Sequence, residues 1–260
     1  MPLLRSIVHM DLDTFFVSCE RLLDSRLNHK PILIGGTSDR GVVASCSYEA
    51  RKFGIHSAMP MRMAKQRCPE AIVIKGNSST YTKYSRLVTD IIKEASPLYE
   101  KSSIDEFYID FTGMDRFHGV LKYSTELRQR ILKETGLPIS FGLSENKTVS
   151  KIATGEAKPD NQIQISYGNE KSFLSPLSVR KIPMVGLKTY QSLCNLGIRT
   201  IKPIQEMPIE MMERIMGRNG VGIWKKANGI DLTPVVQHNE RKSISTERTF
   251  NQDTTDVVKL

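Results

Sequence analysis

The residues of this sequence best able to do chemistry lie in Ser102-Ser103-Ile104-Asp105-Glu106-Phe107-Tyr108-Ile109-Asp110-Phe111-Thr112-Gly113, where two adjacent carboxylates open an alternating run. From Glu106 onward, residues 106, 108 and 110 are polar and 107, 109 and 111 apolar, the period of a half-buried strand. Adjacent strand residues face opposite ways. For Asp105 and Glu106 to serve one site, the backbone must therefore turn or bulge between Ile104 and Glu106. Alone, the pair reads as a polar hairpin tip. A second acidic strand changes that reading: Ile7-Val8-His9-Met10-Asp11-Leu12-Asp13-Thr14-Phe15-Phe16 ends an apolar run in carboxylates. Placing Asp11 beside Asp105 and Glu106 costs about 4 kcal/mol per like-charge pair at roughly 4 Å and an effective dielectric of about 20. Divalent cations offset such repulsion. Hard carboxylate oxygens without Cys or His partners suit Mg²⁺ or Mn²⁺ better than Zn²⁺. Asp13, just ahead of Thr14 and Phe15-Phe16-Val17, reads instead as a helix N-cap.

Basic and aromatic residues supply a second chemistry. Tyr48 and Arg51, three apart on a helical turn, put a phenol and a guanidinium side by side, a pair suited to phosphate oxygens. A solvated basic face is the alternative, since residues 39–67 hold six basic residues against two acids. Lys158 follows a helix and is a candidate second phosphate contact, although a lone lysine there is more often surface. Phe15-Phe16 reads as core by spacing, with one ring available as a flat wall against a sugar. Ile182-Pro183-Met184-Val185-Gly186-Leu187 and Leu193-Cys194-Asn195-Leu196-Gly197-Ile198 read as a helical hairpin whose exposed backbone N–H groups at the second helix start can hold a phosphate.

These residues must be positioned by a chain of 260 residues with 39% hydrophobic and 25% charged content, ordinary for a globular protein with one to three modules. No apolar run reaches bilayer length and no signal-peptide core opens the sequence, so the expected location is cytoplasmic. Cys19, Cys46, Cys68 and Cys194 are scattered and imply neither a zinc site nor a disulfide framework. The net charge of +9 points to a polyanionic partner. Its distribution is uneven, with twelve lysines and arginines against six acids between Arg180 and Arg248.

Periodicity predicts a strand within 7–16 that gives way to a helix, strands at 30–36 and 41–45, an acidic hairpin whose second arm is 106–111, and a strand at 139–143. It predicts helices after Thr14, at 48–53, 61–67, 80–95, 123–135 and 146–154. Taken in order, these give strand, helix, two strands, helix, strand, a split βαβ or ferredoxin-like arrangement with an excursion inserted after its first helix. Between Pro176 and Asp231 the strand signal vanishes, leaving short helices punctuated by glycine.

The combination resembles the Y-family translesion DNA polymerases, most closely their bacterial DNA polymerase IV branch, over nearly the whole chain. The segments that carry the resemblance are His9 to Phe16, Ser47 to Gly54, Ser57-Ala58-Met59-Pro60, Ser103-Ile104-Asp105-Glu106 and Ala157-Lys158-Pro159. It implies an α+β fold: a ferredoxin-like palm (1–20 and 77–166), a small α/β fingers insertion (21–76), and a helical thumb with a helix-hairpin-helix (167–233). Residues 234–260 would be a linker and the start of a truncated little-finger domain, making the chain a catalytic fragment. Asp11, the carbonyl of Leu12, Asp105 and Glu106 would hold two Mg²⁺ ions, with Mn²⁺ as a substitute. Phe15, Phe16, Ser45, Tyr48, Arg51 and Lys158 would contact the incoming nucleotide, Phe16 as steric gate against a ribose 2′-hydroxyl. Val185, Gly186, Lys188, Arg241 and Lys242 would contact DNA. The implied partners are primer-template DNA, dNTPs and a sliding clamp, and the implied state is a monomer. Three departures stand out: Met184 replaces a usual glycine, Asp160-Asn161 replaces a usual Asn-Gly, and residues 241–250 resemble a domain entrance that breaks off at Leu260. Two rival readings are a diguanylate cyclase, whose guanine-approaching glycines are missing here, and a damaged-DNA-binding scaffold with a dead site, against which the intact acids argue.

Overall fold

The computed structural model describes residues 4–114, 119–237, 243–247 and 255. Arg241 and Lys242 fall outside those residues, and of the expected domain entrance at 241–250 only 243–247 are described, without helix or strand. In chain order the elements begin β1 (Ile7–Leu12), α1 (Phe15–Leu23), β2 (Ile32–Gly35), β3 (Val43–Cys46), α2 (Tyr48–Arg51), α3 (Met61–Arg67) and β4 (Ile72–Ile74). They continue with α4 (Ser78–Ala95), β5 (Tyr99–Lys101), β6 (Glu106–Asp110), α5 (Val120–Thr135), β7 (Ile139–Ser144), α6 (Lys147–Ala157) and β8 (Gln162–Gln164). The last five are α7 (Glu170–Leu174), α8 (Leu187–Asn195), α9 (Lys202–Glu206), α10 (Ile209–Met216) and α11 (Arg218–Ala227). Two compact units result, one comprising Met1–Asp13 and Leu87–His238, the other containing Thr14–Arg86.

The first unit is organised by a five-stranded sheet ordered β5-β6-β1-β7-β8. β1 runs antiparallel to both β6 and β7, so the first and last strands of the expected ferredoxin-like unit are neighbours at its centre. β8, which periodicity misses, adds parallel to β7. It is three residues long, too short to show an alternation. α6 lies directly against β7 because Gly142 has no side chain: a Cβ there would meet the Ser150 carbonyl oxygen at 2.3 Å. One side of α6 also enters a second core, where Val149, Ile152 and Ala153 pack with Leu174, Val179, Leu193, Ile204 and Met212 of the helical segment. Among its described residues from Glu170 to Ala227 that segment contains no strand, only helices, turns and one isolated antiparallel bridge between Ser178 and Thr200, in keeping with the loss of strand signal. Its hairpin starts from a single 3-10 turn, Val179–Lys181, rather than an α-helix.

The second unit holds a three-stranded sheet, β3-β2-β4, with β3 antiparallel and β4 parallel to β2. Its core joins Leu33, Val43, Cys46, Ala50, Ile55, Met61 and Ala64. β4 is a second short strand that the sequence pattern does not announce. α1 begins at a residue in the left-handed region, Thr14 (φ 42°), with no side-chain cap. The expected N-cap role of Asp13 is therefore overturned.

Candidate active site

The strand register decides which acids meet. Asp11 pairs with Glu106 across β1 and β6, His9 with Tyr108, and Leu12 N–H donates to the Asp105 carbonyl at 3.1 Å. Opposed residues on neighbouring strands share a face. Asp11 and Glu106 consequently stand side by side at one end of the sheet. The turn required ahead of Glu106 is present: residues 103–105 bend, and Ser102 N–H returns to the Glu106 carbonyl at 3.0 Å. Ser103 builds that bend. Its hydroxyl accepts from the backbone N–H of Asp105 and Glu106 and donates to the Asp105 carboxylate at 2.5 Å.

Two lysines face these acids. Lys151 Nζ donates to both oxygens of Glu106 at 2.6 and 2.7 Å. Lys158 Nζ is paired with Asp11 and lies 3.7 Å from Asp13. Burial pushes the Asp11 carboxyl up, to about 7, against the pull of Lys158, and neighbouring Asp105 and Glu106 push it the same way. Asp13, expected as a cap, is instead a buried brace: its Oδ2 accepts from Ser140 Oγ at 2.8 Å and from the Asp160 N–H at 2.7 Å. It thereby ties the end of β1 to β7 and to the turn after Lys158. That turn uses the departure noted above, since Asp160 sits at positive φ (47°) and its carboxylate takes Arg128 at 2.5 Å. Beneath the acids, burial holds the His9 imidazole well below its usual pKa, aided by Lys151, Lys158 and Lys147. The ring is neutral at physiological pH and shares a 2.9 Å hydrogen bond with Thr154 Oγ1.

Among the described residues no three Asp, Glu, His or Cys side chains form a ready cluster for a metal ion. Glu106 and Asp11 instead carry ammonium partners. The donor set still suits a hard cation. It is all oxygen, and Asp105 and Glu106 add to the upward push that burial gives the Asp11 carboxyl, a repulsion that a divalent ion relieves.

In the second unit, the Arg51 guanidinium lies 5.1 Å from the centre of the Tyr48 ring, so the expected phenol–guanidinium pair is formed. Ser45 is half-buried on β3 opposite Ile34. Phe15 is buried, and its ring offers a ligand no surface. Phe16 is half-buried and stacks on Tyr81 at 4.3 Å, while the Tyr81 hydroxyl donates to Glu20 at 2.7 Å.

The hairpin after Ile182 corrects one expectation. The N–H of Val185 donates to Ile182 and that of Gly186 to Met184, both at 3.1 Å, so the turn closes on itself and neither amide is presented to a phosphate. Lys188, in the first turn of α8, is exposed. Ser140, Lys151 and Tyr81 escaped the sequence reading, which named Ser103 only as part of a motif. Only Lys151 leaves a signal, its spacing of one helical turn from Lys147.

Residues 10–155 match the family described as IMS, impB/mucB/samB. DNA polymerase IV of Dehalococcoides mccartyi is 42% identical over 253 residues, covering 96% of this chain and 65% of that protein. DNA polymerase IV 2 of Methanosarcina mazei is 36% identical over 261 residues, covering 98% and 71%. Among solved structures, DinB from Sulfolobus solfataricus superimposes with a TM-score of 0.81 at 28% identity, covering 88% of this chain and 69% of that one. An insertion ternary complex of Dbh DNA polymerase gives 0.79 at 27%, with coverage of 88% and 69%. The chain thus spans about two thirds of the length of the relatives it matches, 65% for the first of them. With its acids opposed across β1 and β6 and its sequence aligned along nearly all its length, the chain belongs to the impB/mucB/samB family of Y-family polymerases.

Proposed function

We propose that this chain carries the catalytic part of a translesion-type, template-directed DNA polymerase that adds dNTPs to a primer 3′-hydroxyl. The observation that carries the reading is the placement of Asp11 opposite Glu106, with Asp105 in the bend that precedes it. The names of the relatives, DNA polymerase IV, support it. In this reading residues 1–20 and 77–166 are the palm, 21–76 the fingers and 167–233 the thumb.

Asp11, Asp105, Glu106 and the Leu12 carbonyl would hold Mg²⁺, or Mn²⁺ in its place. Such ions supply Lewis-acid polarisation of the phosphoryl group and ease ionisation of the attacking hydroxyl. The chain's own residues do the rest. Lys158 and Arg51 bind triphosphate oxygens as charged donors, Tyr48 adds a hydroxyl, and Ser45 lines the nucleotide's path. Phe16, held flat by Tyr81, excludes a 2′-hydroxyl by bulk. Lys188 and the basic helical segment hold the primer-template backbone, and Arg241 and Lys242 add charge to that contact. A sliding clamp, a monomeric state and a cytoplasmic location complete the reading.

Primer extension on a defined template with Mg²⁺ and dNTPs is the direct test. Asp105→Ala or Glu106→Ala should reduce the rate by on the order of a thousand-fold, about 4 kcal/mol of transition-state stabilisation, with the circular dichroism spectrum unchanged. Undiminished extension by either purified variant sinks the assignment. Cyclisation of GTP without extension would favour the cyclase reading instead.

A further inference from the structure

On one face of the palm sheet, acids from three neighbouring strands each meet a lysine of α6 or of its C-terminal cap: Glu100 with Lys147, Glu106 with Lys151, and Asp11 with Lys158. Lys147 and Lys151 are one helical turn apart, so α6 presents both ammoniums on one side. Lys147 has a packing role. It bonds both oxygens of Glu100 at 2.7 Å, sits 4.5 Å from the centre of the Tyr108 ring, and shares Glu100 with the Val236 N–H. Lys151 differs, because its partner Glu106 stands directly opposite Asp11.

Like charges opposed across two strands repel, and a partly buried carboxylate left without a counter-charge is costly. Lys151 and Lys158 offset that repulsion here. Lys151 does so by engaging both Glu106 oxygens, the same atoms a cation would need. Its side chain is about a third exposed, so it has room to withdraw. We propose that Lys151 is a resident counter-ion of the acid pair, holding Glu106 while no divalent cation is bound and yielding its oxygens when one arrives. It thereby lowers the cation affinity of the site and keeps the metal-free state folded. This inference rests on the divalent-cation reading above. Lys158 acts similarly on Asp11, but its proposed contact with triphosphate makes it a poorer probe.

The test is a Mn²⁺ titration of the full chain without DNA or nucleotide, following free Mn²⁺ by electron paramagnetic resonance. Wild type, Lys151→Met, Lys151→Arg and Asp11→Asn are compared. Lys151→Met should bind Mn²⁺ about tenfold more tightly, roughly 1.4 kcal/mol, and melt at a lower temperature without metal. Lys151→Arg, which keeps the charge, should bind within about threefold of wild type on the same scale. Asp11→Asn should lose the site. Lys151→Gln carries the comparison if the methionine variant does not fold. Equal or weaker Mn²⁺ binding by the charge-neutral variants, with Asp11→Asn still abolishing it, overturns the counter-ion role alone. Binding indifferent to Asp11→Asn overturns the cation reading and this inference with it.

Discussion

At the scale of single residues, Asp13 and Met184 both act through backbone placement that their types alone conceal. Asp13 belongs to a local sequence that caps helices, yet its carboxylate is claimed by Ser140 and the Asp160 N–H, partners more than a hundred residues away. Met184 occupies the left-handed region (φ 77°) with its side chain 88% exposed. A left-handed conformation costs an L-residue about 1–2 kcal/mol, and glycine escapes it at an entropic cost of about 0.5–1 kcal/mol. Since the exposed side chain contributes little packing, Met184→Gly should stabilise the protein by up to about 1 kcal/mol. That raises the melting temperature by roughly 2–4 °C for a chain of this size. A melting temperature that stays put or falls would mean the Met184 side chain contributes packing that its exposure conceals.

At the scale of elements, α6 is the joint of the first unit. Its N-terminus is capped by Asn146, whose side chain accepts from Val149 N–H, and again by Asp231, which accepts from both the N–H and the hydroxyl of Thr148. Asn146 Nδ2 also donates to the Gly229 carbonyl, so the end of the helical segment is stitched to the start of α6. Burial alone would raise the Asp231 carboxyl, but hydrogen bonds from Thr233 and Thr148 outweigh it and hold its pKa below the usual carboxylate value. A folded-state pKa that is depressed contributes stability above the unfolded value of about 3.9 and loses it as pH falls through the folded value. Asp231→Asn should therefore destabilise the protein by about 1 kcal/mol at pH 7, the usual cost of a lost cap. The gap from wild type should close as pH falls below about 4. Thermal melts between about pH 3 and 7 check this, and a gap constant through the acid range would assign the loss to packing instead.

At the scale of the whole molecule, charge is the organising quantity. The net charge of +9 is concentrated in 180–248, where basic residues outnumber acids two to one. The proposed binding to double-stranded DNA should accordingly weaken with salt, each neutralised phosphate adding about −0.9 to the slope of log K against log salt. Lys188→Ala should make that slope shallower by about 0.9 and weaken binding equally on all sequences. An unchanged slope removes Lys188 from the DNA contact set. Lys147 and Lys151 lie outside that segment, and in this structure their ammoniums are paired with Glu100 and Glu106.

Much of the site could be read from the chain because its signals are local. Alternation from Glu106 to Phe111 and the apolar run before Asp11 are fixed by residue order, as are the Tyr48–Arg51 spacing and the helical pattern of 146–154. Those features determined the longer strands, the palm-like order and the candidate acids. Pairing partners are another matter, since register joins residues distant in sequence and a one-residue slip would turn every side chain to the other face. Only the tertiary structure set Asp11 against Glu106, gave Asp13 to Ser140 and put Lys151 on Glu106. The sequence determined which residues could carry charge to the site; the tertiary structure decided which charges oppose and which compensate, because Coulomb energy depends on a separation that only packing sets.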